Sequence, residues 1–375
     1  MYKILTFGMT NNYGGVEAVI MNYYRRFNHQ KIKMDFLCTT NKVAYSTEIK
    51  KYNGKIYAIP ARKKNPFRYY VAINSFFKEH AQEYDCFWVN INNLVNIDYL
   101  RLAKKYGIKK IIIHAHNSKI MEPGLKGKVR EFIHECNRKK IVNYATDYWA
   151  CSDEAANWFF DKDTRSNVKI IYNALNEKEY LFNSTIRNQL REQYKLKDNT
   201  VIGNIGRLSY QKNQTFLLDI FNKYLSMDKT AKLMLIGAGE EEKKLKRKVQ
   251  DLKIEDNVLF LGMKSKEEVN KLYNIFDVFV FPSQFEGLGV VLLEAQANGL
   301  PILASAKRIP KMVKINNNFN FIDLDQSANY WAIKIKNNKN NRIKDENIIA
   351  NNFKKTHYDI EIEAKKVEKM LITNL

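Results

Sequence analysis

The sequence predicts an α/β protein built from two doubly wound parallel-sheet domains. Three observations predict it. Short apolar runs alternate with helical stripes along nearly the whole chain, the mark of a parallel sheet covered on both faces. The alternation restarts after a charged helical segment, RNQLREQYKL, at 187–196. The chain has 375 residues, which at roughly 150 residues per domain is enough for two separate cores.

The first series opens with KILTFG (3–8), a strand that starts almost at residue 1. The loop TNNYGG leads into VEAVIMNYYRRF, where Val16, Val19, Ile20 and Tyr23 recur at helical spacing. Strand, glycine loop and helix form the opening unit of a doubly wound sheet. KMDFLCTT (33–40), KIYAIP (55–60), CFWVNI (86–91) and KKIIIHAHN (109–117) read as further strands. PFRYYVAINSFFKEH (66–80) and IDYLRLAKKYG (97–107) read as helices. DYWACSD (147–153) and VKIIYNAL (168–175) read as the last strands of this half.

The second series runs TVIGNIGRL (200–208), helix 213–227, KLMLIGAG (232–239), helix 240–252, NVLFLG (257–262), helix 267–276, DVFVFPS (277–283), helix 289–299 and PILAS (301–305). Residues 314–345 are rich in Asn and Lys and poorly periodic, apart from NFIDLD and SANYWAIKI. The last segment, IEIEAKKVEKMLITNL, reads as a helix. The expected division is a first domain at 1–185, a second at 186–355, and a C-terminal helix at 356–375 that crosses back to the first.

Composition narrows the function. Hydrophobic residues make up 45% and charged residues 27%, as in ordinary folded domains. No apolar run approaches the roughly 18 residues of a membrane-spanning helix, and the N-terminal apolar stretch is too short for a signal peptide, so a cytoplasmic location is expected. Cys38, Cys86, Cys136 and Cys151 are widely spaced, which argues against a zinc cage or disulfide framework. The net charge of +22 suits nucleic acid, an anionic membrane face or phosphorylated small molecules. Compositional drift toward Lys is the plain alternative.

Four stretches carry chemistry. In FPSQFEGLGVVLLEAQANGLPILAS (281–305), Glu286 and Glu294 stand in the spacing E-x(7)-E. Gly287, Leu288 and Gly289 form the intervening loop and open a helix, an arrangement that suits a diphosphate at the helix N-terminus. A carboxylate beside it suits neighbouring sugar hydroxyls. In IGNIGRLSYQKNQ, Arg207 and Lys212 follow a strand end; fixed cations at the carboxyl edge of a parallel sheet bind phosphate groups. Gly14-Gly15 opens the first helix but lacks the full dinucleotide or P-loop pattern. His114 and His116 end a hydrophobic strand on one face. They read as an active-site edge, with a structural pair or a metal as the alternatives; no further ligand is spaced to complete a metal site.

Taken in order, GGVE, HAHNS, GRLSYQKN, LIGAGEEEKKL, VLFLG and FEGLGVVLLEAQANGLPILAS resemble the retaining nucleotide-sugar glycosyltransferases of family 4. Those enzymes have the GT-B fold, two Rossmann-like domains facing a central cleft. Within the family the sequence looks most like the bacterial branch that assembles capsular polysaccharide and exopolysaccharide. The resemblance implies a first domain that binds acceptor and a second that binds donor. It implies that Arg207 and Lys212 hold the donor diphosphate, Glu286 contacts the donor sugar, and Glu294 takes the ribose hydroxyls. Gly287, Leu288, Gly289 and Gly15 would face phosphates and sugar, Gly262 and Met263 would border the base, and one of His114 and His116 would lie near the transferred sugar. After PILAS, Ala306-Lys307-Arg308 stands where many relatives carry an acid.

Cations and helix N–H groups aimed at a departing diphosphate stabilise the transition state. No cofactor and no metal is therefore expected, and Asp323-Leu324-Asp325 reads as structural. The donor is expected to be a nucleoside-diphosphate sugar, with uridine as base, and the acceptor a lipid-linked or oligosaccharide molecule. Residues 119–140 contain seven Lys/Arg and three Glu, and Arg62, Lys63, Lys64, Pro66 and Phe67 form a second basic-apolar cluster. Both suit peripheral contact with an anionic membrane. The alternatives are a GT-B nucleotide-sugar epimerase, an inverting transferase, a catalytically silent sugar-binding relative, or a basic nucleic-acid-binding protein. No nucleic-acid-binding motif is present in the sequence, so nucleic acid is not an expected partner.

Overall fold

The computed structural model describes residues 1–120, 122 and 124–373. Met121 and Pro123, inside the basic segment 119–140, lie outside the described residues. The chain divides into two compact units, one of Met1–Ala174 with Ile360–Leu375, the other of Leu175–Asp359.

The first unit holds seven strands: β1 (Tyr2–Phe7), β2 (Ile32–Cys38), β3 (Ile56–Ala58), β4 (Cys86–Ile91), β5 (Lys110–Ala115), β6 (Asp147–Ala150) and β7 (Lys169–Ile170). They form one sheet in the order β3-β2-β1-β4-β5-β6-β7, and every pairing is parallel. Such sheets are covered on both faces and read as continuous apolar runs. All six residues of β4 and all six of β5 are buried accordingly. One of them is charged: Lys110 extends its ammonium to the carbonyls of Met370 and Thr373, 2.7 Å from each. It thereby caps the C-terminus of helix Ile360–Ile372, where cations are favoured. The same helix is tied to the first crossover by Arg26–Glu361 at 2.5 Å and by Asn28 N donating to Glu368.

The second unit holds six strands: β8 (Val201–Ile205), β9 (Lys232–Ile236), β10 (Val258–Gly262), β11 (Val278–Phe281), β12 (Ile302–Ser305) and β13 (Phe319–Ile322). Their order is β10-β9-β8-β11-β12-β13, again parallel throughout. Helix Gln214–Leu225 buries Leu217, Leu218, Ile220, Phe221 and Tyr224 in a core that also includes Trp331 and Ile335 of helix Ala328–Asn338. Ahead of β11, Arg187, Arg191 and Arg342 converge on the carbonyls of the turn 273–276, and Asp277 accepts from Arg187 and Arg191. Burial lowers the Arg342 guanidinium to about 9. This polar cluster anchors the entry to β11.

In each sheet the first strand sits beside the fourth, β1 against β4 and β8 against β11. The chain leaves that point in opposite directions, which makes it the topological switch point where open α/β sheets place ligands.

Several elements differ from the sequence expectation. The strand expected over 109–117 stops at Ala115, leaving His116 in the following loop. Of 147–153 only Asp147–Ala150 is strand, because Ser152 caps a helix that starts at Asp153. Of 168–175 only Lys169–Ile170 pairs. Within 314–345 the structure forms β13 and helix Ala328–Asn338, and helix Glu346–Lys355 follows. The first two fall on NFIDLD and SANYWAIKI, the two exceptions noted in the sequence. Cys136 is exposed, while the other three cysteines are buried. No helix among the described residues is long and apolar enough to cross a membrane.

Candidate functional site

The two loops that leave the switch point of the second sheet are stitched together. The loop after β8 runs from Gly206 through a single 3-10 turn, Tyr210–Lys212, to Asn213, whose left-handed backbone starts helix Gln214–Leu225. The loop after β11 runs from Pro282 to Gly289. Asn213 Nδ2 donates to the Pro282 carbonyl at 3.0 Å, and Gln284 N donates to the Gln211 carbonyl at 2.7 Å.

These contacts bring Lys212 and Glu286 face to face. Lys212 Nζ donates to Glu286 Oε1 at 2.8 Å, with the two side chains only 16% and 5% exposed. The Lys212 ammonium also lies 4.8 Å from the centre of the Phe281 ring, a cation–π contact. The Glu286 carboxylate takes a further hydrogen bond from Ser283 Oγ, and Gln211 Nε2 lies 3.5 Å from its second oxygen. Glu286 N donates to the Arg308 carbonyl at 3.0 Å. A buried carboxylate and a partly buried ammonium so placed neutralise one another and hold their geometry without a ligand.

Gly289 has φ +90° and caps helix Val290–Ala297. A Cβ there would approach Leu292 Cδ1 to 3.2 Å and Glu286 Cγ to 3.7 Å. The left-handed turn therefore keeps the helix N-terminus next to the Lys212–Glu286 pair. Gly287 and Leu288 are buried in the same loop. A little over one turn on, Glu294 accepts from Tyr273 Oη at 2.7 Å and from Tyr180 Oη at 3.3 Å. Burial pushes the Glu294 carboxyl up, opposed by these tyrosine hydrogen bonds. Burial and the Glu294 charge push the Tyr273 phenol up in turn.

Arg207 stands apart from that pair. Its Nε donates to Glu240 Oε2 at 2.9 Å, with the two side chains 62% and 57% exposed. It lies at the edge where β8, β9 and β10 end together: Gly206 N donates to the Ile236 carbonyl and Gly237 N to the Gly262 carbonyl, each at 2.9 Å. Gly262, with φ +65°, closes β10, and Met263 beyond it is exposed. Asp323 of the Asp323-Leu324-Asp325 triplet pairs with Lys307 at 2.6 Å.

Sequence reasoning missed Gln211, Ser283, Tyr273 and Tyr180. Ser283 is three residues before Glu286, so its role is latent in the P-S-x-F-E spacing. Tyr180 and Tyr273 meet Glu294 from 114 and 21 residues away, and no local pattern marks them.

The other candidates belong to the first unit. Gly15 is the first residue of helix Gly15–Tyr24. Behind it Glu17 is buried, accepts from Thr10 Oγ1, and is pushed up chiefly by burial. His114 is fully buried, its ring centre 6.0 Å from Trp88 and 5.9 Å from Trp149. Neither of its ring nitrogens has a hydrogen-bond partner among the described residues. His116, 8% exposed, is held by Asn90 Oδ1 at 2.9 Å from Nε2. Burial lowers His116 to about 3 and His114 well below the usual range, with the His116 charge a second cause at His114. Both are neutral near pH 7.

The fold and the Lys212–Glu286 pair define a class: an open α/β protein with polar groups gathered at the carboxyl ends of its strands, beside a switch point. Comparison with known proteins specifies it further. Residues 186–355, all within the second unit, match the family described as glycosyl transferases group 1. The EpsF protein of Bacillus subtilis (strain 168), named as a glycosyltransferase, is 28% identical over 327 residues, 86% of this chain and 83% of that one. Among solved structures, HepE of Anabaena in complex with UDP and glucose superposes with a TM-score of 0.78 at 18% identity, covering 99% of both chains. The lipopolysaccharide outer core galactosyltransferase WaaB superposes with a TM-score of 0.65 at 19% identity, covering 100% of both. These matches support a group 1 glycosyltransferase on the GT-B fold.

Proposed function

We propose that this chain transfers a sugar from a UDP-sugar to a lipid-linked saccharide acceptor, with retention of configuration and without a metal, as a family 4 enzyme of capsular polysaccharide or exopolysaccharide assembly. The observation that carries the reading is the partly buried Lys212–Glu286 pair, 2.8 Å apart, beside the Gly289 helix N-terminus. The HepE structure with UDP-glucose, at a TM-score of 0.76, supports the choice of donor.

In this reading the donor diphosphate takes over the Lys212 ammonium, and Arg207 turns from Glu240 to the same phosphates. Both cations then stabilise the charge that develops on the leaving UDP. Losing Lys212 frees one lone pair of Glu286, which accepts from the donor-sugar hydroxyls. Ser283 keeps that carboxylate oriented. The backbone of Gly287, Leu288 and Gly289 faces the phosphates and sugar. Glu294, held by Tyr273 and Tyr180, takes the ribose hydroxyls, and Gly262 and Met263 border the base. In the first unit, one of His114 and His116 serves the transferred sugar, and Gly15 offers its N–H to phosphate. The leaving phosphate accepts the acceptor proton. The acceptor is presented at an anionic membrane surface.

Glu286→Ala and Lys212→Ala each lower transfer from UDP-sugar by at least about 100-fold, as expected for groups aimed at developing charge, with far-UV dichroism unchanged. Transfer measured by release of UDP in EDTA proceeds at the full rate. Activity near wild type in either variant, or strict dependence on added metal, refutes the reading.

A further inference from the structure

Helix Gly124–Arg138 of the first unit is amphipathic the wrong way round. Its packed side is polar. His134 stacks on Trp158 with ring centres 3.9 Å apart and meets Leu94 N at 3.0 Å through Nδ1. Asn137 Nδ2 donates to the Leu94 carbonyl at 2.7 Å, and Arg138 Nη2 donates to the carbonyls of Asn157 and Phe160. The apolar residues point outward instead. Leu125, Val129, Phe132 and Cys136 follow one another at intervals of four, three and four, which lines them up on one face. Leu125 is 78% exposed and Phe132 71%. Polar anchors on the inner side fix which face looks out, so the exposure is built in and is not a frayed packing defect.

Cations surround that stripe. Lys119, Lys126, Lys128, Lys139 and Lys140 are all exposed. Of the three acids in the segment, Glu122 is paired to Arg130 at 3.3 Å and Glu135 to Arg138 at 3.2 Å. A second patch has the same makeup. At the start of helix Pro66–His80, Phe67, Tyr70 and Val71 are exposed beside Lys63, Lys64 and Arg68. The two helices belong to the crossovers β3 to β4 and β5 to β6, which step across the sheet in the same direction. Right-handed crossovers therefore put them on the same face of that sheet. Each helix follows a parallel strand, so both patches begin at the carboxyl edge. Two apolar-basic patches on one face and one edge match an extended anionic surface better than a single protein groove.

We infer that Leu125, Val129 and Phe132 insert into the interfacial region of an anionic phospholipid bilayer, with Lys126 and Lys128 at the headgroups and the Phe67 patch as a second anchor. This deepens the membrane-side acceptor of the proposed function by naming the surface that meets the bilayer. The test is flotation of the full chain with vesicles of equal parts phosphatidylglycerol and phosphatidylcholine, against vesicles of phosphatidylcholine alone. The wild type floats with the first and not the second, and added salt weakens it. Lys126→Gln with Lys128→Gln weakens binding about 25-fold, at about fivefold per cation. Leu125→Ser with Val129→Ser and Phe132→Ser weakens it at least about tenfold and leaves the thermal midpoint unchanged.

Absence of flotation with anionic vesicles, or flotation that the apolar variant does not reduce, overturns the inference. So does a fall in that variant's midpoint, or a dimer that it disperses, because either shows the face already covered in solution. Thermal shift with UDP-glucose on the same samples separates the two readings. Vesicle binding without a donor shift sinks the transferase and leaves this surface standing; a donor shift without vesicle binding does the reverse.

Discussion

Replacing Glu286 by Gln leaves the Lys212 ammonium, 16% exposed, without its counter-charge. Removing one partner of a buried ion pair typically costs about 3–5 kcal/mol. The residual exposure of Lys212 reduces this to about 2 kcal/mol through solvent screening. For a unit of about 185 residues, in which 1 kcal/mol shifts the midpoint by about 2–4 °C, the change is about 4–8 °C. A double-mutant cycle of Glu286→Gln and Lys212→Met should accordingly return a coupling energy of about 2 kcal/mol. The same cycle at Arg207 and Glu240, 62% and 57% exposed, should return about 0.5 kcal/mol or less. The assay is urea unfolding of the full chain without donor. It is read by hydrogen exchange and mass spectrometry in peptides covering β8 and β11, so that the second unit is followed by itself. Equal couplings at the two pairs would refute the claim that the switch-point loops hold a desolvated pair ready before substrate arrives.

Two further outcomes concern the first unit. His116 is lowered to about 3 from the ordinary 6.5, so folding favours its neutral form, and its contribution is complete above about pH 6.5 and lost as the pH falls toward 3. The midpoint of the first unit should drop over that range, and His116→Asn should flatten the drop; a parallel curve contradicts it. Lys110→Met removes the cap on the carbonyls of Met370 and Thr373. Amides of helix Ile360–Ile372 should then exchange about tenfold faster, for a loss of about 1.4 kcal/mol in local opening. Unchanged exchange there would show that the cap contributes nothing.

Regular elements were legible in the sequence where burial is two-sided and the apolar run is unbroken. CFWVNI is a strand over all six of its residues, and PFRYYVAINSFFKEH is a helix over its full length, because sheet burial and helical periodicity are local properties of the chain. The E-x(7)-E spacing likewise places Glu286 in a loop and Glu294 in the following helix. Helix Gly124–Arg138 carries a stripe at helical spacing, but that the stripe faces outward was not legible, because the polar anchors on its inner side are tertiary contacts.

What the sequence determined by itself is the class of fold, the residue types at the switch-point loops and the surplus of positive charge. The tertiary structure decided the pairings. Lys212 is bound to Glu286 while Arg207 is bound to Glu240, and Tyr180 and Tyr273 meet on Glu294. It also separated two histidines that stand two residues apart, closing His114 between tryptophans and tying His116, beyond the strand end, to Asn90. The reason is physical. Periodicity and composition act over a few residues, whereas a hydrogen bond or an ion pair is set by which strand ends the parallel sheet brings side by side; Asn204 of β8 bonds the Val280 carbonyl of β11 although 76 residues separate them in the chain.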